Sequence, residues 1–309
     1  MYKVFIDGEA GTTGLKIAER FAGRNDVELL HLPPEKRKDA AARKEMINRA
    51  DYCFLCLPDE AAKEACSLVE NENVKIIDAS TAHRTAEGWA YGFPELDEKH
   101  FSDVNNSRRV AVPGCHASGF LALVYPLIAA GIVDSDYPFV CYSMSGYSGG
   151  GKSAIARYDA RESVALEAPG QYALTQNHKH LKEMQYVGGV MTTPVFSPFI
   201  CDFYSGMEVT VPIFGMMMRK CRSVDALYDF YSEYYSGQKF ITVEKCREGE
   251  FIYANSMSGK DSMKILIGGN DKRILPVALY DNLGKGASGA AIECMNIMMG
   301  LPPERGLVL

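Results

Sequence analysis

Through the first part of the chain, short runs of β-branched and aromatic residues alternate with stretches whose apolar residues recur at helical spacing. Tyr2–Asp7, Val27–Leu32, Asp51–Leu57, Val74–Asp78 and Arg109–Val112 read as strands, and Leu15–Phe21, Ala41–Asn48 and Glu60–Glu70 as helices. This alternation predicts a parallel sheet covered by helices on both faces, with ligands gathering beyond the carboxyl ends of its strands. The pattern changes after an apolar helix, Leu121–Ile132. Beyond it, Pro138–Ser143, Gly189–Pro194, Gly206–Ile213, Phe251–Asn255 and Lys264–Gly268 carry strand patterns, Val224–Tyr235 is helical, and Ala291–Met299 is a closing apolar helix. Together these predict a mostly antiparallel sheet with helices on one side, a face often used for oligomerisation.

Chemistry enters first at the end of the leading strand. Gly8, Gly11 and Gly14, with Thr12 and Thr13 between them, separate that strand from the helix that follows. Strand, glycine turn and helix stand in the order of a dinucleotide site, where backbone N–H groups at a helix start receive a pyrophosphate. The spacing is GxxGxxG and not GxGxxG, so a tight turn without ligand stays open. After the second strand, where a site for NAD would place a carboxylate against the ribose, the chain has Lys36-Arg37-Lys38. Those cations suit a 2′-phosphate and tip the cofactor toward NADP(H), with a solvated basic loop as the alternative.

Cys115 is the candidate nucleophile. It follows Val112-Pro113-Gly114 and opens a helical pattern, so it falls near a helix N-terminus, where the dipole favours thiolate over thiol. A small buried hydrophobe is the alternative. Downstream, the glycines and serines of Ser145–Lys152 predict a flexible, donor-rich loop suited to phosphate or an oxyanion. His178, His180 and Glu183 supply the parts of an acid–base group, or else lie on an exposed helix. The glycines of Asp281–Ala290 permit close backbone approach before a last helix start.

Composition narrows the classes. The 309 residues exceed the usual single-domain size, and a net charge of −6 argues against a nucleic-acid partner. No apolar run reaches membrane-span length and no signal peptide is read at Met1, so a cytoplasmic location is expected. Nine cysteines lie scattered, and the pair Cys53 and Cys56 sits on a strand, where residues three apart face opposite ways. No metal site is expected.

The chain resembles the N-acetyl-gamma-glutamyl-phosphate reductase family of arginine biosynthesis, in its shorter form, which belongs with the semialdehyde dehydrogenases. Gly8–Gly14, Ala82-His83-Arg84, Tyr91–Glu95, Val112–Cys115, Ser145–Gly149, His178–Glu183 and Asn282–Gly286 carry the resemblance, which spans essentially the whole length. It implies an α/β fold: a Rossmann-type parallel-sheet domain, residues 1–115 and 284–309, and an α+β catalytic and oligomerisation domain, residues 116–283. It makes Cys115 the nucleophile and His178 the acid–base residue. Arg84, Ser145, His180 and Glu183 match substrate-binding positions, and Gly8, Gly11, Thr12, Thr13, Gly14 and Asn282 cofactor-binding ones; Lys36 and Arg37 join the cofactor set through the basic run after the second strand. The expected partners are a small acyl-phosphate substrate and further copies of the chain, as homodimer or homotetramer. Where longer family members have phenylalanine before the arginine and proline before the glutamate, this chain has His83 and Lys182. Two other readings stay open: an aspartate-semialdehyde dehydrogenase-like enzyme, and a non-catalytic NADP-binding regulator.

Overall fold

Alternation in Tyr2–Asp7 (β1) sends Val4 and Ile6 to one face of a sheet and Phe5 to the other. Tyr52–Leu55 (β3) divides in the same way, Tyr52 and Phe54 against Cys53 and Leu55. The computed structural model describes residues 1–309, and these strands belong to a unit formed by Met1–Pro113 and Ala287–Leu307. With Val27–Leu30 (β2), Lys75–Asp78 (β4), Ala90–Tyr91 (β5) and Arg109–Ala111 (β6) they make an all-parallel sheet in the order β2-β1-β3-β4-β6-β5. One face is filled by Thr12–Phe21 (α1) and the closing helix Gly289–Met298, whose Ile17, Phe21, Ala291, Cys294 and Met295 pack with Val4, Ile6, Phe54 and Ile77. Ala40–Arg49 (α2) and Asp59–Ser67 (α3) cover the other through Ile47, Ala62 and Ala65. Each fully buried large side chain contributes about 2 kcal/mol here. Cys53 and Cys56 join opposite cores, as strand periodicity requires. Glu98–Asn106 (α4) starts on an Asp97 cap and leads to β6.

In the second unit, Gly114–Gly286 with Val308–Leu309, the elements are Cys115–Ala129 (α5), Val140–Gly146 (β7), Gly151–Asp159 (α6), Gly170–Gln171 (β8), Leu181–Gly188 (α7), Val195–Cys201 (β9), Met207–Thr210 (β10), Ile213–Phe214 (β11), Val224–Tyr234 (α8), Ile241–Lys245 (β12), Met263–Asn270 (β13) and Arg273–Tyr280 (β14). Their sheet runs β12-β13-β14-β10-β7-β9-β8, with β11 on β14. Most pairs are antiparallel; β7–β9 and β12–β13 are parallel.

Three expected elements change. Gly189–Pro194 is no strand, because Gly189 takes a left-handed φ of 67° and ends α7. Phe251–Asn255 is irregular, with Phe251 81% and Tyr253 65% exposed, so its apolar residues meet no sheet. The serine–glycine stretch is not a free loop. Ser145 and Gly146 finish β7, a short 3₁₀ turn covers Tyr147–Gly150, and the amides of Gly146, Tyr147 and Ser148 bond the carbonyls of Gly206, Phe203 and Tyr204.

At the end of β1, Asp7 is buried against Arg43 of α2, 3.0 Å away, and Arg43 also reaches Glu64 of α3. Burial pushes the Asp7 carboxyl up, and the Arg43 charge pulls it back. Gly8 then turns the chain with a φ of +91°, where a Cβ would stand 2.3 Å from the Cys56 carbonyl oxygen. Gly8→Ala is expected to lower the unfolding free energy by about 3 kcal/mol, from strain and overlap together, read as a lower urea midpoint at unchanged m value.

Candidate active site

The glycine turn of the first unit is built to receive an anion. Gly11 caps α1, its N–H bonds the Gly8 carbonyl at 2.8 Å, and a Cβ on Gly14 would come 2.5 Å from the Gly8 oxygen. The three glycines therefore fold back on one another and leave the first amides of α1, those of Thr12, Thr13 and Gly14, facing out of the helix start. Thr12 Oγ1 is buried there with no hydrogen-bond partner. An unsatisfied hydroxyl beside a helix N-terminus fits a bound pyrophosphate. Next to it a cavity of about 210 Å³ is lined by Gly8, Gly11, Leu32, Arg37 and Leu57 among others, at the carboxyl ends of β1, β2 and β3. Arg37 faces this cavity, whereas Lys36 lies on an exposed turn and does not line it. A larger polar cavity, about 500 Å³, opens at the amino ends of β4 and β6 and contains none of the expected site residues.

Arg84 is buried in the same unit. Its guanidinium donates to the carbonyls of Val112 at 2.9 Å and Ala79 at 3.2 Å, which fixes the strand ends that lead toward Pro113. Its neighbour His83 bonds the buried Asp78 at 2.6 Å and stacks on Trp89.

Cys115 is the first residue of α5, after the extended Gly114 cap. Proline and glycine stop the preceding strand, and the apolar run behind the thiol buries the helix over nearly all its length. Three groups hold the backbone of this turn. Glu183 Oε2 accepts from the Gly114 N–H at 3.0 Å, the Tyr280 hydroxyl donates to the Cys115 carbonyl at 2.5 Å, and Gly286 lies so close that a Cβ there would be 3.1 Å from Cys115 Cβ.

Two imidazoles, His116 and His180, stand beside the thiol, and a third, His178, packs on both of them. The ring centroids of His178 and His180 lie 4.7 Å apart, and His116 is 5.6 and 5.5 Å from them, with Phe196 against both His116 and His178. Ligand atoms of Cys115, His116 and His180 fall within 4.8 Å of one another. Both His116 nitrogens are engaged, Nδ1 with Ser143 Oγ and Nε2 with Tyr172 OH, each at 2.7 Å, so the group reads as the environment of a thiol and not as a metal centre. His178 Nδ1 accepts from the His180 N–H at 3.2 Å, which assigns the proton of neutral His178 to Nε2. The expected exposed helix is absent: α7 begins only at Leu181, and His180 and Glu183 are buried.

Ser145 and Ser148 are buried beside this cluster's own strand β7. Asn282 is used within the fold: its Nδ2 donates to Ser148 Oγ and its Oδ1 accepts from the Gly206 N–H. His116, Tyr172 and Tyr280 were not singled out from the sequence. Only His116 carried a signal, its place directly after the cysteine; the two tyrosines reach the site through folding alone.

Comparison with known proteins shows the family and the fold. The family description "Semialdehyde dehydrogenase, NAD binding domain" matches residues 3–104, and "Semialdehyde dehydrogenase, dimerisation domain" matches residues 115–282. An N-acetyl-gamma-glutamyl-phosphate reductase 2 of Nostoc sp. is 46% identical, over 99% of each chain. The Sinorhizobium medicae N-acetyl-gamma-glutamyl-phosphate reductase is 44% identical, over 96% of this chain and 98% of its own. Among solved structures, aspartate semialdehyde dehydrogenase II of Vibrio cholerae, complexed with ASA, superposes with a TM-score of 0.71 at 14% identity, covering 97% of this chain and 98% of that one. The Candida albicans aspartate semialdehyde dehydrogenase with NADP gives 0.67 at 14%, covering 97% and 98%. At such identity these structures share the fold alone. By its full-length likeness, the chain belongs to the N-acetyl-gamma-glutamyl-phosphate reductase family of semialdehyde dehydrogenases.

Proposed function

We propose that the chain reduces N-acetyl-L-glutamyl 5-phosphate to N-acetyl-L-glutamate 5-semialdehyde with NADPH, releasing phosphate, as a step of arginine biosynthesis. The observation that carries this reading is Cys115 at the first position of α5 with His116 and His180 beside it and His178 packed on both rings. In this reading the helix start favours the thiolate, and Cys115 Sγ attacks the acyl carbon as the bond to phosphate breaks and phosphate leaves with the electron pair. Bound NADPH would supply the hydride that takes the resulting thioester to the aldehyde level. Cys115 then departs as thiolate. His178 gives and retakes the proton through Nε2, the nitrogen that the His180 amide does not occupy. His116 does not share that task. Its two nitrogens are committed to hydroxyls, and burial, helped by the charges of His178 and Lys179, pushes its pKa down to about 3.

Arg84, Ser145 and His180 bind the substrate in this reading, and Glu183 acts through the Gly114 amide it holds. The turn Gly8–Gly14, with Thr12 and Thr13, receives the pyrophosphate, and Arg37 with Lys36 the 2′-phosphate. Asn282 shapes the turn at Ser148 and is assigned to cofactor binding in the same reading. The chain works as a homo-oligomer: the outer side of β7 and β9 exposes Tyr142, Met144 and Val195, an apolar face suited to a second copy. No helix is long and apolar enough to cross a membrane, and the cytoplasm is the proposed location.

The deciding assay runs in the reverse direction, with NADP⁺, phosphate and either N-acetyl-glutamate semialdehyde or aspartate semialdehyde. Phosphate-dependent NADPH formation from the acetylated substrate alone is expected; activity confined to aspartate semialdehyde refutes the substrate assignment, and NADPH binding without turnover favours a regulator. Cys115→Ala is expected to cut turnover by about 10⁴-fold or more while NADPH affinity stays within about twofold, measured by fluorescence titration. Arg37→Ala should weaken NADPH about tenfold and leave NADH unchanged, by loss of one charge-assisted contact. His116 titrates near 3 in the folded chain against an ordinary 6.5, so between those values the unfolded chain binds more protons and acid destabilises the fold. His116→Gln should therefore flatten the decline of unfolding free energy below pH 6.5 by up to about 1.4 kcal/mol per pH unit, in urea titrations across that range.

A further inference from the structure

An α-helix pairs the carbonyl of each residue with the amide four residues on. At the first step of α5 those groups are the Cys115 carbonyl and the Gly119 N–H. The Tyr280 hydroxyl lies across both, donating to the Cys115 carbonyl at 2.5 Å and accepting from the Gly119 N–H at 3.1 Å. One step earlier the ladder is regular, with the Ser118 amide on the Gly114 carbonyl at 2.9 Å. We infer that Tyr280 is a positioning residue for the reaction, whose hydroxyl sets the peptide that carries the Cys115 thiol.

Three observations support the assignment. Position 119 has to be glycine for the phenol to enter, since a Cβ there would stand 2.7 Å from the Tyr280 oxygen and 2.6 Å from Val209. Tyr280 is fully buried at the end of β14, between Met207 of β10 and Met263 of β13 in register, so the sheet fixes where its oxygen falls. Burial, and next the neighbouring Cys115 charge, push its phenol far up, which keeps the proton on oxygen for donation to the carbonyl. A second phenol provides an internal comparison: the buried Tyr235 hydroxyl donates to the Ala122 carbonyl of the same helix at 2.7 Å, two turns from the thiol.

The role in catalysis rests on Cys115 being the nucleophile, so the test includes a readout that needs no substrate. Tyr280→Phe and Tyr235→Phe are compared by steady-state kinetics with the acyl phosphate, and by the rate of Cys115 alkylation with iodoacetamide followed by peptide mass spectrometry. Tyr280→Phe is expected to lower kcat at least about tenfold with KM and NADPH affinity within about twofold, and to change the alkylation rate about fivefold or more, because the reacting sulfur is displaced while the binding sites are not. Tyr235→Phe should leave both rates near wild type. Wild-type kcat and alkylation in Tyr280→Phe, or equal losses in the two variants, overturn the proposal. A wild-type enzyme that is inactive on the acyl phosphate, with alkylation still sensitive to Tyr280→Phe alone, overturns the substrate assignment and leaves the positioning role standing. If Tyr280→Phe does not fold, a wild-type crystal structure with the Tyr280 oxygen out of hydrogen-bonding reach of both Cys115 and Gly119 overturns the role, and one with the bridge in place upholds it.

Discussion

A helix that begins on a cysteine has unpaired amides beside the thiol, and the turn must be held without filling that space. Here the holding is done from behind. The partners of the Gly114 amide and the Cys115 carbonyl are Glu183 and Tyr280, which lie 69 and 165 residues away in sequence. Imidazoles stand beside the thiol, and Gly286, which passes close to Cys115, carries no side chain. Most of the second unit follows from this arrangement: β14 has to end at Tyr280, α7 has to begin at Leu181 with Glu183 in its first turn, and the chain after Tyr280 has to pass against Cys115.

Buried carboxylates perform a related task elsewhere. Asp78 bonds the amide and hydroxyl of Ser80 as well as His83, and Asp281 accepts from the amides of Gly259, Leu283 and Gly284 and from the Ser205 hydroxyl. Asp7 anchors Arg43 just before the glycine turn. Each carboxylate stands where a strand gives way to a loop, and charge-assisted bonds to backbone amides are the strongest means a fold has of fixing such a loop. The turns after β1, β4 and β14 are therefore anchored by buried carboxylates, in keeping with sites that need their donors aimed before a ligand arrives.

Much of the first unit was legible because its strands are bounded by glycine, proline and polar residues and its helices keep a clear apolar stripe. The place of Cys115 at a helix start was legible for the same reason, with Pro113 and Gly114 marking where strand stops and helix starts. The second unit was harder to read. Pro276 sits within β14, opposite Ile267, and a proline argues against a central strand, so that strand went unread. Phe251 and Tyr253 have the composition of a strand but are exposed. The run of serines and glycines looked mobile, yet its amides are paired with residues some sixty positions on. Glu183 was visible as a carboxylate near two histidines, while its actual partner, the Gly114 amide, is a backbone group that no side-chain pattern announces.

The closing helix Gly289–Met298 has a consequence for how the protein is made. Its Ala291, Cys294 and Met295 complete the core beneath β1 and β3, so that sheet cannot bury one of its faces until residues nearly 200 positions beyond β6 have left the ribosome. At about 5–20 residues per second that is a wait of tens of seconds, during which Val4, Ile6, Phe54 and Ile77 face water or a chaperone. The second unit, nearly continuous in sequence, has no such delay. Synthesis thus reaches the first unit's strands earlier, but the second unit is free to fold first, and the first closes only around the later helix.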